Sequence, residues 1–306
     1  MRTARIATLG LLLAVLACTA SPPARPAANE RRSDESSPSG AAAAPVPPMH
    51  LRVAYSAVWG ANAVAWTAYE AGIFAQHGLD VELTLISSAQ SISATIANEV
   101  APSFGGGYAA IASRLGGSDL LIFFNVTNWW PYELMVTPDI NTGADLKDKR
   151  LGVSRFGSAS DTATRVALRK LGLAPERDVV LIQTGGLSER IAAMKAGSVA
   201  GGVAAPPDNL VLRREGFKTL LDLSASSDPE LTNVAFATAA WLDANPATAQ
   251  AFTDALVEGI HFTKTHREAT EQALGKYLKL DDPEQIAVAY DYWVTQRQDR
   301  LPDLST

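Results

Sequence analysis

Arg150-Leu151-Gly152-Val153-Ser154-Arg155-Phe156-Gly157-Ser158-Ala159-Ser160-Asp161 passes from one kind of hydrophobic period to another. Up to Ser154 the residues read as a short strand. Beyond Gly157, Ala163, Val166, Ala167 and Leu171 recur on one helical face, with Arg165 and Arg169 pointing the other way. Ser158 supplies the side-chain oxygen that an N-cap needs, and Asp161 follows at the spacing of a capping box. Strand, turn and helix in that order form the repeating unit of an α/β fold.

The same grammar extends both ways. Upstream, Leu51 to Tyr55 and Asp80 to Ile86 read as strands, and Asn62 to Gln76 as a helix ended by His77-Gly78. Ser91 to Glu99 and Tyr108 to Leu115 are helical, and Leu120 to Val126 is a buried strand by its continuous apolar character. Downstream, Val179 to Gln183, Val199 to Ala205 and Lys218 to Leu223 read as strands, with a helix from Glu189 to Ala196. Thr232 to Thr238 is expected to cross back to the first unit, because the sequence after Trp241 is helical throughout. The expected fold class is therefore α/β in two lobes, each a mainly parallel sheet flanked by helices. Residues 49–136 and 236–306 make lobe I, and residues 137–235 make lobe II, inserted into it.

The N-terminal end reads differently. Arg2 and Arg5 precede an uncharged apolar run from Ile6 to Leu16, and Cys18, the sole cysteine, follows it. A secretory signal has this basic start and apolar segment, and the run is too short to span a bilayer. The arrangement resembles a bacterial lipoprotein signal, so residues 1–17 are expected to be removed and Cys18 to carry lipid. Residues 18–48, rich in Ala, Pro and Ser, read as a disordered linker that cannot bury enough apolar surface to order itself. Loss of Arg2 and Arg5 moves the formal net charge from −6 to −8, because two positive charges leave. Such an acidic balance argues against a nucleic-acid partner, which needs a basic face. A small anion stays compatible with it, since a site can be locally positive.

Ala71-Gly72-Ile73-Phe74-Ala75-Gln76-His77-Gly78-Leu79-Asp80-Val81 is followed at a distance by Ala144-Asp145-Leu146-Lys147-Asp148-Lys149-Arg150-Leu151-Gly152-Val153. These stretches, with Arg155 to Asp161, Glu189 to Gly197 and Pro206-Pro207, resemble the nitrate/sulfonate/taurine and thiamine-pyrimidine family of ABC-transporter substrate-binding proteins. The resemblance covers about residues 51–300 and rests on the order of the motifs. It implies a type II periplasmic-binding-protein fold, with a ligand cleft between the lobes that closes on a small solute. It also implies an ABC permease in the cytoplasmic membrane as partner, and a monomeric protein.

Ligands of open α/β sheets sit beyond the carboxyl ends of strands, beside helix starts whose N–H groups favour an oxyanion. Four strand-to-helix loops meet that description and supply Ser56, Trp59, Ser88, Gly106, Gly107, Tyr108, Arg155, Ser158 and Ser160 as ligand-binding candidates. Arg155 adds a charge and a fork that fits a sulfonate or carboxylate. Each has a plainer reading beside it. Ser158 and Ser160 serve a helix cap or a cap together with a ligand, and Arg155 a ligand or an ion pair. Gly105-Gly106-Gly107 is not a dinucleotide fingerprint; it permits close backbone packing or a ligand contact. Trp130, in Trp129-Trp130-Pro131-Tyr132, is core packing or a flat wall for a ring, and Pro206 ends a strand or lines the cleft.

Catalysis has weaker support. His50, His77, His261 and His266 fall in no metal-ligand spacing, and there is neither a Gly-x-Ser-x-Gly elbow nor a Walker loop. No catalytic residue, metal or cofactor is therefore expected. An anion is the favoured ligand, with a thiamine-precursor pyrimidine or other aromatic solute as the alternative. An exported ligand-sensing protein would use the same cleft, and a pyrimidine-synthesis enzyme fits the leader poorly. If Cys18 anchors the protein, the mature chain partitions into detergent and Cys18→Ala releases it or blocks maturation. Unchanged partitioning of a processed Cys18→Ala chain would remove the lipid from the account.

Overall fold

A computed structural model describes residues 48–226 and 230–295. The leader, Cys18 and the linker up to residue 47 lie outside the described residues, as do 227–229 and 296–306. The chain first lays down β1 (Met49–Tyr55), β2 (Leu79–Leu85), β3 (Ser103–Gly105) and β4 (Leu120–Thr127). Next come β5 (Glu133–Val136), β6 (Arg150–Val153), β7 (Val180–Gln183), β8 (Gly201–Ala204) and β9 (Lys218–Asp222), and last β10 (Asn233–Thr238). Two five-stranded sheets result, in the orders β2-β1-β3-β10-β4 and β7-β6-β8-β5-β9.

Each sheet runs four strands one way and one against them. In the first, β10 opposes both β3 and β4, pairing Ala235 with Phe104 and with Phe124. In the second, β5 opposes β8 and β9, pairing Leu134 with Val203 and with Leu221. The opposing strand is in each case the one by which the chain enters that sheet from the other. This pattern confirms the expected α/β class, and it moves two expected limits. β5 lies before residue 137 yet pairs in the second sheet, so the chain leaves the first unit at 128–132. Likewise β10 returns to the first sheet at Asn233, ahead of 236. Four residues buried on both faces carry no period from which a partner could be read.

Helices cover the sheets. They are α1 (Ala63–Glu70), α2 (Ile73–Gln76), α3 (Ser88–Ile96), α4 (Gly107–Leu115), α5 (Ala159–Lys170) and α6 (Leu187–Lys195), then α7 (Asp208–Arg214). The remainder are α8 (Ala239–Ala244), α9 (Pro246–Thr265), α10 (Arg267–Leu278) and α11 (Pro283–Tyr290), followed by a π-turn over Asp291–Thr295. The single helix expected over 62–76 is two, because Gly72 adopts φ +71° between α1 and α2. Buried Phe252, Ala255, Leu256 and Ile260 put the long α9 against α1, and Phe252 stacks on Phe74 at 5.3 Å. No helix among the described residues is long and apolar enough to cross a membrane.

The two passages between the sheets lie side by side. Leu223 N–H donates to Tyr132 O at 3.0 Å, Glu230 N–H to Asn128 O at 2.8 Å, and Thr232 N–H to Thr127 O at 3.1 Å. Next to them the Glu133 carboxylate, 8% exposed, accepts from Asn209 and Arg213 of α7 and from Thr219 of β9. This network anchors β5, which has only four residues. Glu133→Ala removes three bonds to one charged group and should cost about 3 kcal/mol. Urea unfolding checks this through a lower midpoint at an unchanged slope.

Candidate functional site

The carboxyl ends of both sheets point toward the paired passages, and the candidate loops gather there. Loop 56–62 is tied down by Asn62, whose Nδ2 donates to Ala57 O at 2.7 Å. Asn233 of β10 reinforces it by donating to Ala61 O and to Asn62 Oδ1, both at 3.0 Å. Facing this loop, α4 starts at Gly107 and, from the second sheet, α5 starts at Ala159. The two starts meet: a methyl group on Gly106 would lie 3.8 Å from the Ala159 Cβ and 3.9 Å from its nitrogen. Two positive helix ends thus converge on one spot.

The predicted residues divide once placed. Ser56 lies beside Gly105 and Gly106, and a Cβ on Gly105 would stand 3.0 Å from the Ser56 Oγ. Gly107 serves packing, because its N–H donates to Leu231 O at 2.8 Å and a Cβ there would meet Leu231 at 2.5 Å. Ser158 Oγ donates to Arg155 O at 2.7 Å and accepts from Asp161 N–H at 3.3 Å, while Ser160 Oγ accepts from Ser154 N–H at 2.9 Å. Both hydroxyls are engaged in shaping the turn and capping α5. Ser88 begins α3, and its side chain lies outside the described set. Arg155 is exposed, and its guanidinium has no side-chain partner among the described residues.

Aromatic side chains line the site beside the paired passages. Trp59 stacks on Tyr132 at 5.8 Å and 20°, and Trp293 of the π-turn meets its edge at 6.0 Å. Trp293 also donates its Nε1–H to Pro206 O at 3.0 Å, joining the C-terminal segment to the end of β8. Trp130 is buried beneath the ring of Tyr108, parallel at 5.8 Å, so packing is its observed role. The Tyr108 hydroxyl donates to Glu230, and burial together with that carboxylate pushes its pKa up to about 12.

The residue that sequence reading missed is Arg190. It is 3% exposed, and its alkyl chain crosses Gly152 of β6 and Gly202 of β8. A Cβ on Gly202 would stand 2.7 Å from Arg190 Cδ, so only glycine leaves the lane open. The guanidinium therefore emerges at the carboxyl ends of these strands, where Nη1 donates to Ser154 Oγ at 3.0 Å. That is its one side-chain hydrogen bond among the described residues. Burial pulls its pKa down, against the fields of Tyr132, Asp208 and Glu189. In sequence Arg190 had no signal of its own, but glycine in two adjacent strands marks where a long side chain can lie.

The chemistry assembled here comprises a buried cation, two helix starts and an aromatic wall. Residues 135–279 match the model of the NMT1-like family. No curated protein matches the chain. Among solved structures it is similar to the alkanesulfonate-binding protein SsuA of Xanthomonas axonopodis pv. citri bound to MOPS. That match has 19% identity and TM-score 0.68, over 81% of this chain and 85% of that one. The periplasmic aliphatic sulphonate-binding protein SsuA of Escherichia coli gives 20% and 0.66, over 80% and 84%. The periplasmic nitrate-binding protein NrtA of Synechocystis PCC 6803 gives 16% and 0.66, over 81% and 70%. At these identities the likeness concerns the fold, and the fold expected from the sequence is the one observed.

Among the described residues, Asp208 is the carboxylate near Arg190 whose titration is displaced. It opens α7 directly after Pro206-Pro207, and desolvation raises its pKa to about 6 although Arg190 and its own backbone N–H pull it down. A raised folded-state pKa means that the stabilising contribution is complete below the ordinary carboxylate pKa. It is lost as the pH climbs through about 6. Asp208→Asn lacks that loss. Relative to the parent, its stability should therefore be about 2 kcal/mol better at pH 8 than at pH 4.5, as read from urea midpoints at both pH values.

Proposed function

We propose that the chain is the exported solute-binding component of an ABC importer, anchored by lipid at Cys18. It captures a small sulfonate- or nitrate-like anion between the two sheets and delivers it, as a monomer, to a permease in the cytoplasmic membrane. The observation that carries this reading is Arg190, a buried guanidinium at the carboxyl end of the second sheet with one side-chain bond. The converging starts of α4 and α5 support the same sign of ligand. Support also comes from the fold neighbours, named as binders of sulfonates and nitrate. Binding without chemical change is favoured because the Ser158 and Ser160 hydroxyls are held in structural bonds. The stacked Trp59 and Tyr132 beside Arg190 favour a second reading, in which the solute also carries a ring.

The site reading moves the anion contact from Arg155 to Arg190, since an exposed charge gains little from a partner it shares with water. Titration calorimetry with methanesulfonate and nitrate tests it. Arg190→Gln should weaken binding roughly ten- to a hundred-fold, the worth of a charge-assisted bond. Arg190→Lys should recover part of it, because a point charge lacks the planar fork. Arg155→Ala should change affinity by less than about three-fold. Full affinity in a folded Arg190→Gln protein would assign the anion elsewhere.

A further inference from the structure

Resting on Arg190 as the anion contact, we propose that the Ser154 hydroxyl is a second ligand contact, which donates its hydrogen to the same anion and admits at that point an oxygen bearing no proton. Arg190 Nη1 lies 3.0 Å from Ser154 Oγ, and a guanidinium has donors but no acceptor. Ser154 Oγ therefore accepts in this bond, and its own hydrogen must point elsewhere. Among the described residues that hydrogen has no acceptor, since the contact with Arg190 is the one bond the hydroxyl makes.

The neighbouring hydroxyls differ because their hydrogens are spent inward. Ser158 Oγ donates to Arg155 O at 2.7 Å. The hydrogen between Ser158 Oγ and Ser160 Oγ, 3.0 Å apart, is therefore that of Ser160. Ser160 Oγ in turn accepts the Ser154 N–H at 2.9 Å. Backbone donors of the turn are spent as well. Arg155 N–H goes to Ser158 Oγ at 3.5 Å and Phe156 N–H to Gln183 Oε1 at 3.0 Å. Gly157 N–H goes to Asp161 Oδ2 at 2.8 Å and Ser158 N–H to Arg155 O at 3.1 Å. Across 154–158 the uncommitted polar hydrogen is the one on Ser154.

That hydrogen stands where a ligand would arrive. Ser154 is half-buried and directly follows β6, whose partner β8 ends where the Arg190 guanidinium emerges. The backbone of the turn does not depend on the hydroxyl, because the Ser154 N–H bonds Ser160 and its carbonyl accepts from Gly185 N–H at 3.3 Å. A hydroxyl that accepts from a cation is also polarised into a stronger donor. Where Arg190 and Ser154 meet, hydrogens alone are presented. Nitrate and sulfonate oxygens accept and do not donate near neutrality, so they suit this point, whereas a protonated oxygen would set hydrogen against hydrogen.

Chemical-shift titration of the full chain with methanesulfonate and with nitrate at neutral pH reads micromolar and millimolar affinities alike. Ser154→Ala should weaken both ligands roughly tenfold, the lower worth of a charge-assisted bond. Ser154→Cys, which keeps the volume but donates weakly, should fall close to it. Most of the Ser154→Ala loss should persist in an Arg190→Met background, where the side chain still fills the lane but donates no hydrogen bond. A change under about twofold in the folded Ser154 variants overturns the proposal. A loss that vanishes in Arg190→Met overturns it too, because Ser154 would then act solely by holding Arg190. Either result leaves the anion-site reading standing. No binding of either probe by the parent chain overturns that reading and the Ser154 contact with it.

Discussion

A guanidinium that is 3% exposed costs several kcal/mol of lost hydration before any contact is counted. Arg190 is held in that position by structure on every side. Gly152 and Gly202 clear the lane for its alkyl chain, and Ser154 meets one nitrogen at the far end. The fields of Tyr132, Asp208 and Glu189 favour its charge, and it has no ion pair among the described residues. A long aliphatic stem over two glycine positions also recovers some of the cost by burying methylene groups. Within a structural ion pair one would expect the bonded geometry of Glu133 with Arg213 and Thr219, a few residues away in the fold. Arg190 lacks that geometry, and the contrast between the two buried charges is what singles it out.

The position of this cation matters because of how the chain passes between its sheets. The two passages are joined backbone to backbone at Thr127, Asn128 and Tyr132, so the sheets share one seam and not two separate linkers. Trp293 adds a third connection. Its indole packs against Gly60, where a Cβ would overlap the ring, and its N–H reaches Pro206 O at the end of β8. Trp59, Tyr132 and Pro206 are therefore all tied to one seam through Trp293 and the paired passages.

Much of this was legible in the sequence. Helix starts carry local chemistry, and Ser158 with Asp161 marked the entry to α5 correctly. Strands buried on both faces showed as apolar runs, and the loops beyond them lie at the carboxyl ends of the sheets, as read. The individual contacts were less legible, since a loop position does not say where a side chain spends its bonds. Ser158 and Ser160 looked like ligand donors and turned inward. Arg155 looked like the anion residue because it follows a strand, yet it stays in water. Arg190 sits in α6 between Glu189 and Ile191 and resembles any surface cation of an amphipathic helix. Only the pairing of β6 with β8, which sets Gly152 opposite Gly202, turns its position into a tunnel. That pairing is tertiary information, and no local period encodes it.

The formal charge of −6 poses the remaining physical question, since an acidic protein repels anions at long range. At about 8 Å in physiological salt that repulsion is largely screened, whereas the fields within the site act over bond lengths and through little water. One buried guanidinium and two helix starts are positive at short range, and the aromatic wall at Trp59 and Tyr132 keeps the local dielectric low. The same removal of water that would strengthen the hold on the proposed anion raises the Asp208 pKa. The lowered Arg190 pKa and the raised Asp208 pKa thus have a single first cause, which is the removal of water around them.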